Sequence, residues 1–154
     1  MTQSNNTVVA LIPARGGSKE LPGKNMLKVK GVPLVGYSIY SALNSKYISD
    51  VYLTSDDENT LLYGEELGVR LIRRPKEFSS DSSTANNVVE HFISTISKEL
   101  IEKDPYVIYL QPTSPLRTAA HIDEAYEKMV EAGLHKLISV VRMEKTPFKA
   151  FILD

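Results

Sequence analysis

Apolar positions along this chain follow two alternating rhythms. Residues 8–12 (VVALI) are an unbroken apolar run, which suits a strand buried on both faces of a sheet. Pro13 ends that run, since proline has no N–H for a ladder. After Pro33, which suits the first turn of a helix, Leu34, Tyr37, Ile39, Tyr40 and Leu43 mark an imperfect helical face. Residues 51–55 (VYLTS) predict a second strand. Asp56 or Asp57 then caps a helix over 58–67, with Leu61, Leu62 and Leu67 inward and Gly68 as its stop. Residues 69–72 predict a third strand. A polar tract follows over 78–87, and Val88, Val89, Phe92, Ile93, Ile96 and Leu100 space a helix over 85–103. Pro105 forces its exit. Residues 107–110 predict a fourth strand, 119–131 a helix closed by Gly133, and 137–142 a fifth strand.

Strand and helix thus alternate from the start. That order predicts an α/β fold: three layers, a mostly parallel sheet with helices on both faces, and right-handed crossovers. The chain length fits one domain, read as 8–154 after a frayed polar start at 1–7. In such sheets ligands sit outside the carboxyl ends of the strands. Four polar or cationic loops follow strands, at 15–25, 55–57, 73–84 and 111–117, and are expected to converge on one edge.

The first of these loops carries the most chemistry. Gly16 and Gly17 allow positive φ and close approach of backbone to a ligand. Arg15, Lys19 and Lys24 supply cations, Ser18 a hydroxyl, and Pro22-Gly23 a turn. A strand running into a glycine-rich cationic loop is a phosphate cradle in form. The plainer reading is a solvated loop. The spacing fits neither G-x-x-x-x-G-K-[ST] nor G-x-G-x-x-G, so a P-loop and a dinucleotide fingerprint are both poor matches.

Composition narrows the rest. The formal net charge of −1 offers no basic field for nucleic acid and no polybasic membrane patch. Without cysteine, disulfides, thiolate nucleophiles and Cys-ligated zinc are excluded. No apolar run approaches the roughly 20 residues that span a bilayer. The polar start lacks the regions of a signal peptide, so the cytoplasm is the expected compartment. His91, His121 and His135 show no metal-ligand spacing and read as surface or packing residues. Ser18 and Ser114 have no partners that would make a hydrolase triad.

Ala14, Arg15, Ser18, Lys19, Pro22, Lys24 and Asn25 together match A-R-x-x-S-K-x-x-P-x-K-N. This pattern resembles the signature of the CMP-sialic acid synthetases, the acylneuraminate cytidylyltransferases. The related Kdo cytidylyltransferases typically carry Arg where Lys19 stands and Pro where Asn25 stands. Ser55-Asp56, Arg74-Pro75, Ser80-Asp81 and the run LQPTSPLR at 110–117 also resemble family segments, in family order, so the likeness covers about residues 7–150. It implies a Rossmann-like nucleotidyltransferase fold. It also implies transfer of CMP from CTP to the anomeric hydroxyl of a sialic-acid-like nonulosonic acid, with release of pyrophosphate.

The resemblance further implies roles for individual residues. Arg15 and Lys24 would be catalytic, holding the triphosphate, with Lys24 closest to the reacting phosphate. Ser18 would hold a phosphate oxygen. Pro13, Ala14 and Asn25 would frame the cytosine, and Arg74 and Ser83 would close over base and ribose. Gln111 would bind the sugar acid. Read from the residues alone, the plainer alternatives are a helix-facing or surface arginine for Arg74 and a backbone-bonded loop residue for Gln111. Mg²⁺ is the implied cofactor, held in the family by a late D-x-D pair that is absent from this sequence. Asp56, Asp57 and Asp81 are neighbours to which the resemblance assigns no metal. Longer family members add a lobe that dimerises; here that lobe is expected to be missing. The alternatives are a catalytically silent CTP-binding module and a nucleotidyltransferase for a related acid such as Kdo. A sugar-1-phosphate nucleotidyltransferase fits less well, because its G-x-G-T-R opening is absent.

Overall fold

The computed structural model describes residues 6–17, 21–79 and 83–140. The chain divides into two compact units, residues 1–123 and 124–154. The first contains a four-stranded parallel sheet in the order β5-β4-β1-β6: Arg70–Arg73, Asp50–Ser55, Val8–Pro13 and Tyr106–Tyr109. β1 pairs on both sides, placing Ala10 opposite Val51 of β4 and opposite Ile108 of β6. β4 in turn carries β5, with Leu53 opposite Leu71.

Because successive strand residues point to opposite faces, β1 feeds two cores. Ala10 and Ile12 meet Val35, Ile39 and Ala42 of α1 (Leu34–Leu43) on one face. Val9 and Leu11 meet Val88 and Phe92 of α3 (Ala85–Thr95) and Leu100 of α4 (Lys98–Glu102) on the other. The expected three-layer arrangement with helices on both faces is therefore present. No helix among the described residues is long and apolar enough to cross a membrane.

Several elements differ from the sequence expectation for identifiable reasons. The buried face of α1 is Val35, Gly36, Ser38, Ile39, Ser41 and Ala42, while Tyr40 and Leu43 are exposed. The buried serines of this helix bond to a neighbouring loop. In α2 (Glu58–Glu66), Asp57 is the cap, accepting from Thr60 N at 2.8 Å; Leu61 is buried but Leu62 is exposed. The helix expected over 85–103 breaks in two. The hydroxyls of Ser94 and Thr95 both fold back onto the His91 carbonyl, and Ser97 caps α4 by accepting from Leu100 N at 3.2 Å. Such local bonds compete with helix continuation.

A two-stranded ribbon not expected from the sequence joins Lys28–Val29 (β2) to Val32–Pro33 (β3). Its turn residues Lys30 and Gly31 have φ 49° and 84°, the positive pair of the tight hairpin turn. Pro33 therefore sits just outside α1 rather than in its first turn.

In the second unit, the later turns of α5 (Ala119–Glu131) end at Gly133, whose φ of 63° suits a helix stop. Lys128 pairs with Glu124 at 2.6 Å one turn away. Residues 137–140 form no strand, and 141–142 lie outside the described residues. An apolar run becomes a strand only where a neighbouring edge accepts its backbone groups, and none pairs with 137–140 among the described residues.

Phe92 tests the α3 layer. It is 1% exposed and meets Tyr52 edge-on, with ring centroids 5.1 Å apart. Phe92→Ala is expected to cost about 3–5 kcal/mol in urea unfolding. An unchanged midpoint would show that this layer contributes little.

Candidate functional site

The chain leaves β1 for β4 and β5 on one side, then crosses back to lay β6 on the other. Between β1 and β6 the connections diverge, which opens a crevice at the carboxyl ends of the strands. A cavity of about 340 Å³ lies there. Pro13 and Arg15 reach it from the end of β1, and Lys24 and Asn25 from the short helical turn Lys24–Met26. Arg74 and Phe78 come from beyond β5, Ser83 to Ala85 and Val88 from the start of α3, and Tyr109 to Thr113 from β6, Leu110 excepted.

The loop after β1 is held by bonds that its sequence makes available. A turn closed from Lys24 N to Leu21 O at 3.1 Å places Gly23 at φ 66°, as a Pro-Gly turn requires. Asn25, 9% exposed, then donates from Nδ2 to the Arg15 carbonyl at 2.9 Å, tying the two ends of the loop together. Gly16 does not have the positive φ expected of it, nor does Gly17. A Cβ on Gly16 would lie 2.8 Å from Asp57 Cβ, so close packing is what requires glycine there.

The loop after β4 lies behind the cavity instead of lining it. Ser55 Oγ donates to the Ala14 carbonyl at 2.6 Å, and Asp56 Oδ1 accepts from Gly16 N at 2.9 Å. The Ser55 carbonyl accepts from Arg74 N at 2.8 Å. The ends of β1, β4 and β5 are thereby locked together by Ser55 and Asp56.

Arg74 is the electrostatic centre. It is 5% exposed, and its Nε and Nη2 have no hydrogen-bond partner among the described residues. Burial lowers its pKa; Asp56 and Tyr109 offset part of that, and Arg15 adds to it. A buried guanidinium with unsatisfied donors is costly. The cost is recovered when an anion or an acceptor-rich group enters. Tyr109 beside it has its hydroxyl pKa raised by burial, against an opposing pull from Arg74.

The wall at 111–113 is stapled to α1. Arg117 Nη2 donates to Ser38 Oγ and to the Gln111 carbonyl, both at 3.0 Å. Ser41 Oγ donates to the Arg117 carbonyl at 2.6 Å, and Ser45 Oγ to Asp123 Oδ1 at 2.6 Å. Serines spaced three and four apart thus hold the loop and the start of α5. At α3, the Thr84 and Asn87 side chains form a reciprocal cap. The first turn of that helix presents its amide end to the cavity, which favours anions.

The structure brings together Pro13, Arg15, Lys24, Asn25, Arg74, Ser83 and Gln111. Ala14 is fully buried and does not line the cavity; its carbonyl is spent on Ser55. Ser18, Lys19, Ser80 and Asp81 lie outside the described residues. Tyr109, Phe78 and Thr113 were not anticipated, although the position of Tyr109 at the end of a strand on this edge was the signal for it. His91 stacks near Phe78 at 5.2 Å, behind the cavity wall, and His121 Nδ1 accepts from Thr118 N at 3.2 Å.

The described carboxylates nearest this edge, Asp56 and Asp57, are each already engaged through one oxygen. Among the described residues no three His, Asp or Glu side chains gather. Asp57 Oδ2 is taken by Thr60 N and Oγ1, and Asp56 Oδ1 by Gly16 N.

Comparison with known proteins places these features in context. A family model described as cytidylyltransferase matches residues 9–150. An N-acylneuraminate cytidylyltransferase of Streptococcus agalactiae serotype V is 35% identical over 144 residues, 90% of this chain and 33% of its own. A pseudaminic acid cytidylyltransferase of Campylobacter jejuni is 34% identical over 147 residues, 95% of this chain and 63% of its own. The chain therefore spans less than two thirds of either relative. Among solved structures, a CMP:2-keto-3-deoxy-manno-octonic acid synthetase complexed with CTP has a TM-score of 0.66 at 23% identity, covering 83% of this chain and 49% of that one. A 4-diphosphocytidyl-2C-methyl-D-erythritol synthase from Anaerococcus prevotii has a TM-score of 0.57 at 13% identity, covering 81% and 51%. These two share the fold.

If Arg74 is held at a stability cost, removing its charge relieves that cost. Arg74→Met is expected to raise the ligand-free melting temperature by roughly 2–6 °C, corresponding to about 1 kcal/mol or more. A lower melting temperature would show that the guanidinium is satisfied where it lies.

Proposed function

The chain belongs to the cytidylyltransferase family, and from that premise we propose that its cavity takes CTP and serves transfer of CMP to a sialic-acid-like nonulosonic acid. In that reaction the anomeric hydroxyl attacks the α-phosphorus. The α–β bridging bond breaks, and pyrophosphate leaves with the electron pair. The observation that carries the reading is the convergence of Arg15, Lys24 and Arg74 on one cavity, with the buried Arg74 lacking hydrogen-bond partners at Nε and Nη2 among the described residues. A cavity of about 340 Å³ falls within the roughly 300–1,000 Å³ of small-molecule sites.

In this reading Arg15 and Lys24 stabilise charge on the phosphoryl oxygens and on the departing pyrophosphate. Ser18 adds a phosphate contact. Asn25 and Pro13 frame the cytosine, with Ala14 behind them supporting the strand end rather than touching the base; Arg74 and Ser83 close over base and ribose. Gln111 faces the sugar acid, on a wall fixed by Arg117. Mg²⁺ would neutralise the triphosphate when bound; no group of three His, Asp or Glu side chains gathers among the described residues. The relatives' names support a nonulosonic acid as acceptor, and the compartment proposed is the cytoplasm, where nucleoside triphosphates are held.

A second reading, in which residues 1–154 bind nucleotide without turning it over, draws on Asp56 Oδ1 and Asp57 Oδ2 being engaged by Gly16 N and Thr60 N. Pyrophosphate release from CTP with N-acetylneuraminate and Mg²⁺ separates the two. The 154-residue chain is expected to stay near background, and vigorous release would overturn that expectation.

Calorimetry with CTP, UTP, ATP and GTP tests the ligand. CTP is expected to bind best, and no preference for it would sink the cytidine assignment. In any form of the protein that turns over, Lys24→Ala is expected to lower kcat by roughly 10²–10³-fold. A near wild-type rate would remove Lys24 from the reacting phosphate.

A further inference from the structure

Asp56 does not line the cavity, yet it touches the backbone that does. Its Oδ1 accepts from Gly16 N at 2.9 Å, next to Arg15. The preceding residue, Ser55, accepts from Arg74 N at 2.8 Å. The carboxylate is half-buried between the two strand ends that deliver Arg15 and Arg74. Neither Nε nor Nη2 of Arg74 has a hydrogen-bond partner among the described residues, so any compensation from Asp56 to these donors acts through space. We propose that Asp56 is a positioning residue with a second effect: it fixes the Gly16 backbone, and its charge competes with a ligand's phosphates for the cations of the cavity. The proposal rests on the reading of the cavity as a nucleotide site.

The physical argument has two separable parts. The bond to Gly16 requires an acceptor, which an amide supplies as well as a carboxylate. The competition requires a negative charge, which an amide lacks. Without ligand, the carboxylate makes the buried Arg74 tolerable, and its attraction offsets part of the effect of burial on that guanidinium. With a phosphate present, the same half-buried carboxylate repels the incoming charge, and partial burial reduces the screening of that repulsion. Asp56 therefore trades affinity for stability of the empty site, and it discriminates against the charged part of the ligand only.

Asp56→Asn separates these effects. Calorimetry at low ionic strength would measure CTP, inorganic pyrophosphate and cytidine against wild type and variant. CTP and pyrophosphate are expected to bind roughly three- to tenfold tighter to the variant, as loss of one nearby like charge implies. Cytidine is expected to be unchanged, because the loop keeps its bond. Equal or weaker binding of all three probes would overturn the proposal and leave the nucleotide site standing. Wild-type chain that binds none of them would overturn both. Should Asp56→Asn fail to fold, Asp56→Ser keeps a short acceptor without charge, and the same selective gain for the anionic probes is expected.

Discussion

The backbone of β1 hydrogen-bonds on both sides, and its side chains are buried on both faces. Val9 and Leu11 serve one core and Ala10 and Ile12 the other. A strand satisfied in every direction cannot shift without breaking two ladders and two cores. Its carboxyl end is thus the most fixed point on the ligand edge, and the loop from Pro13 to Asn25 starts from it. The order β5-β4-β1-β6 then decides where the crevice opens, because neighbours laid down in opposite directions leave β1 and β6 uncovered at their ends.

On that fixed edge, the fold gathers the cations Arg15, Lys24 and Arg74, with Asp56 offsetting part of the effect of burial on Arg74. Arg74 is brought inward by its backbone bond to Ser55, while Phe78 and the first turn of α3 form the wall over it. Guanidinium donors without partners among the described residues carry a desolvation cost that an entering acceptor would offset. The serines of α1 act in the same direction by a different means. Ser38 and Ser41 spend buried hydroxyls on holding the 111–117 loop, where a larger apolar residue would have packed the helix without placing the wall.

Much of this was legible in the chain. The unbroken run at 8–12 and the alternation after it specify the parallel sheet, because both signals report burial directly. The cations of the first loop and the pattern through Asn25 point to Arg15, Lys24 and Asn25 as one group, since they are close in sequence. Arg74 was legible as part of the cationic loop at 73–84 and through its likeness to a family segment, but its burial was not: it is tied to Ser55, nineteen positions away, and periodicity carries no such information. Tyr109 and the Arg117 staple were missed for the same reason. The face of α1 was misread because Tyr40 and Leu43 are apolar yet exposed, while Ser38 and Ser41 are polar yet buried. The split of the 85–103 helix turns on three hydroxyl groups, whose choice of partner is local and unrelated to hydrophobic spacing.

The central claim is that cytidine nucleotide enters the crevice between β1 and β6 and meets Arg74 there. Backbone amide shifts of the isotope-labelled chain, titrated with CTP, test it most directly. Perturbations are expected to cluster at Arg15 and Gly16, Lys24 and Asn25, Arg74, Thr84 and Ala85, and Gln111 and Thr113. Amides along α2 and the outer edge of β5 should stay still. Shifts confined to α2 and β5, or spread evenly over the sheet, would contradict the account.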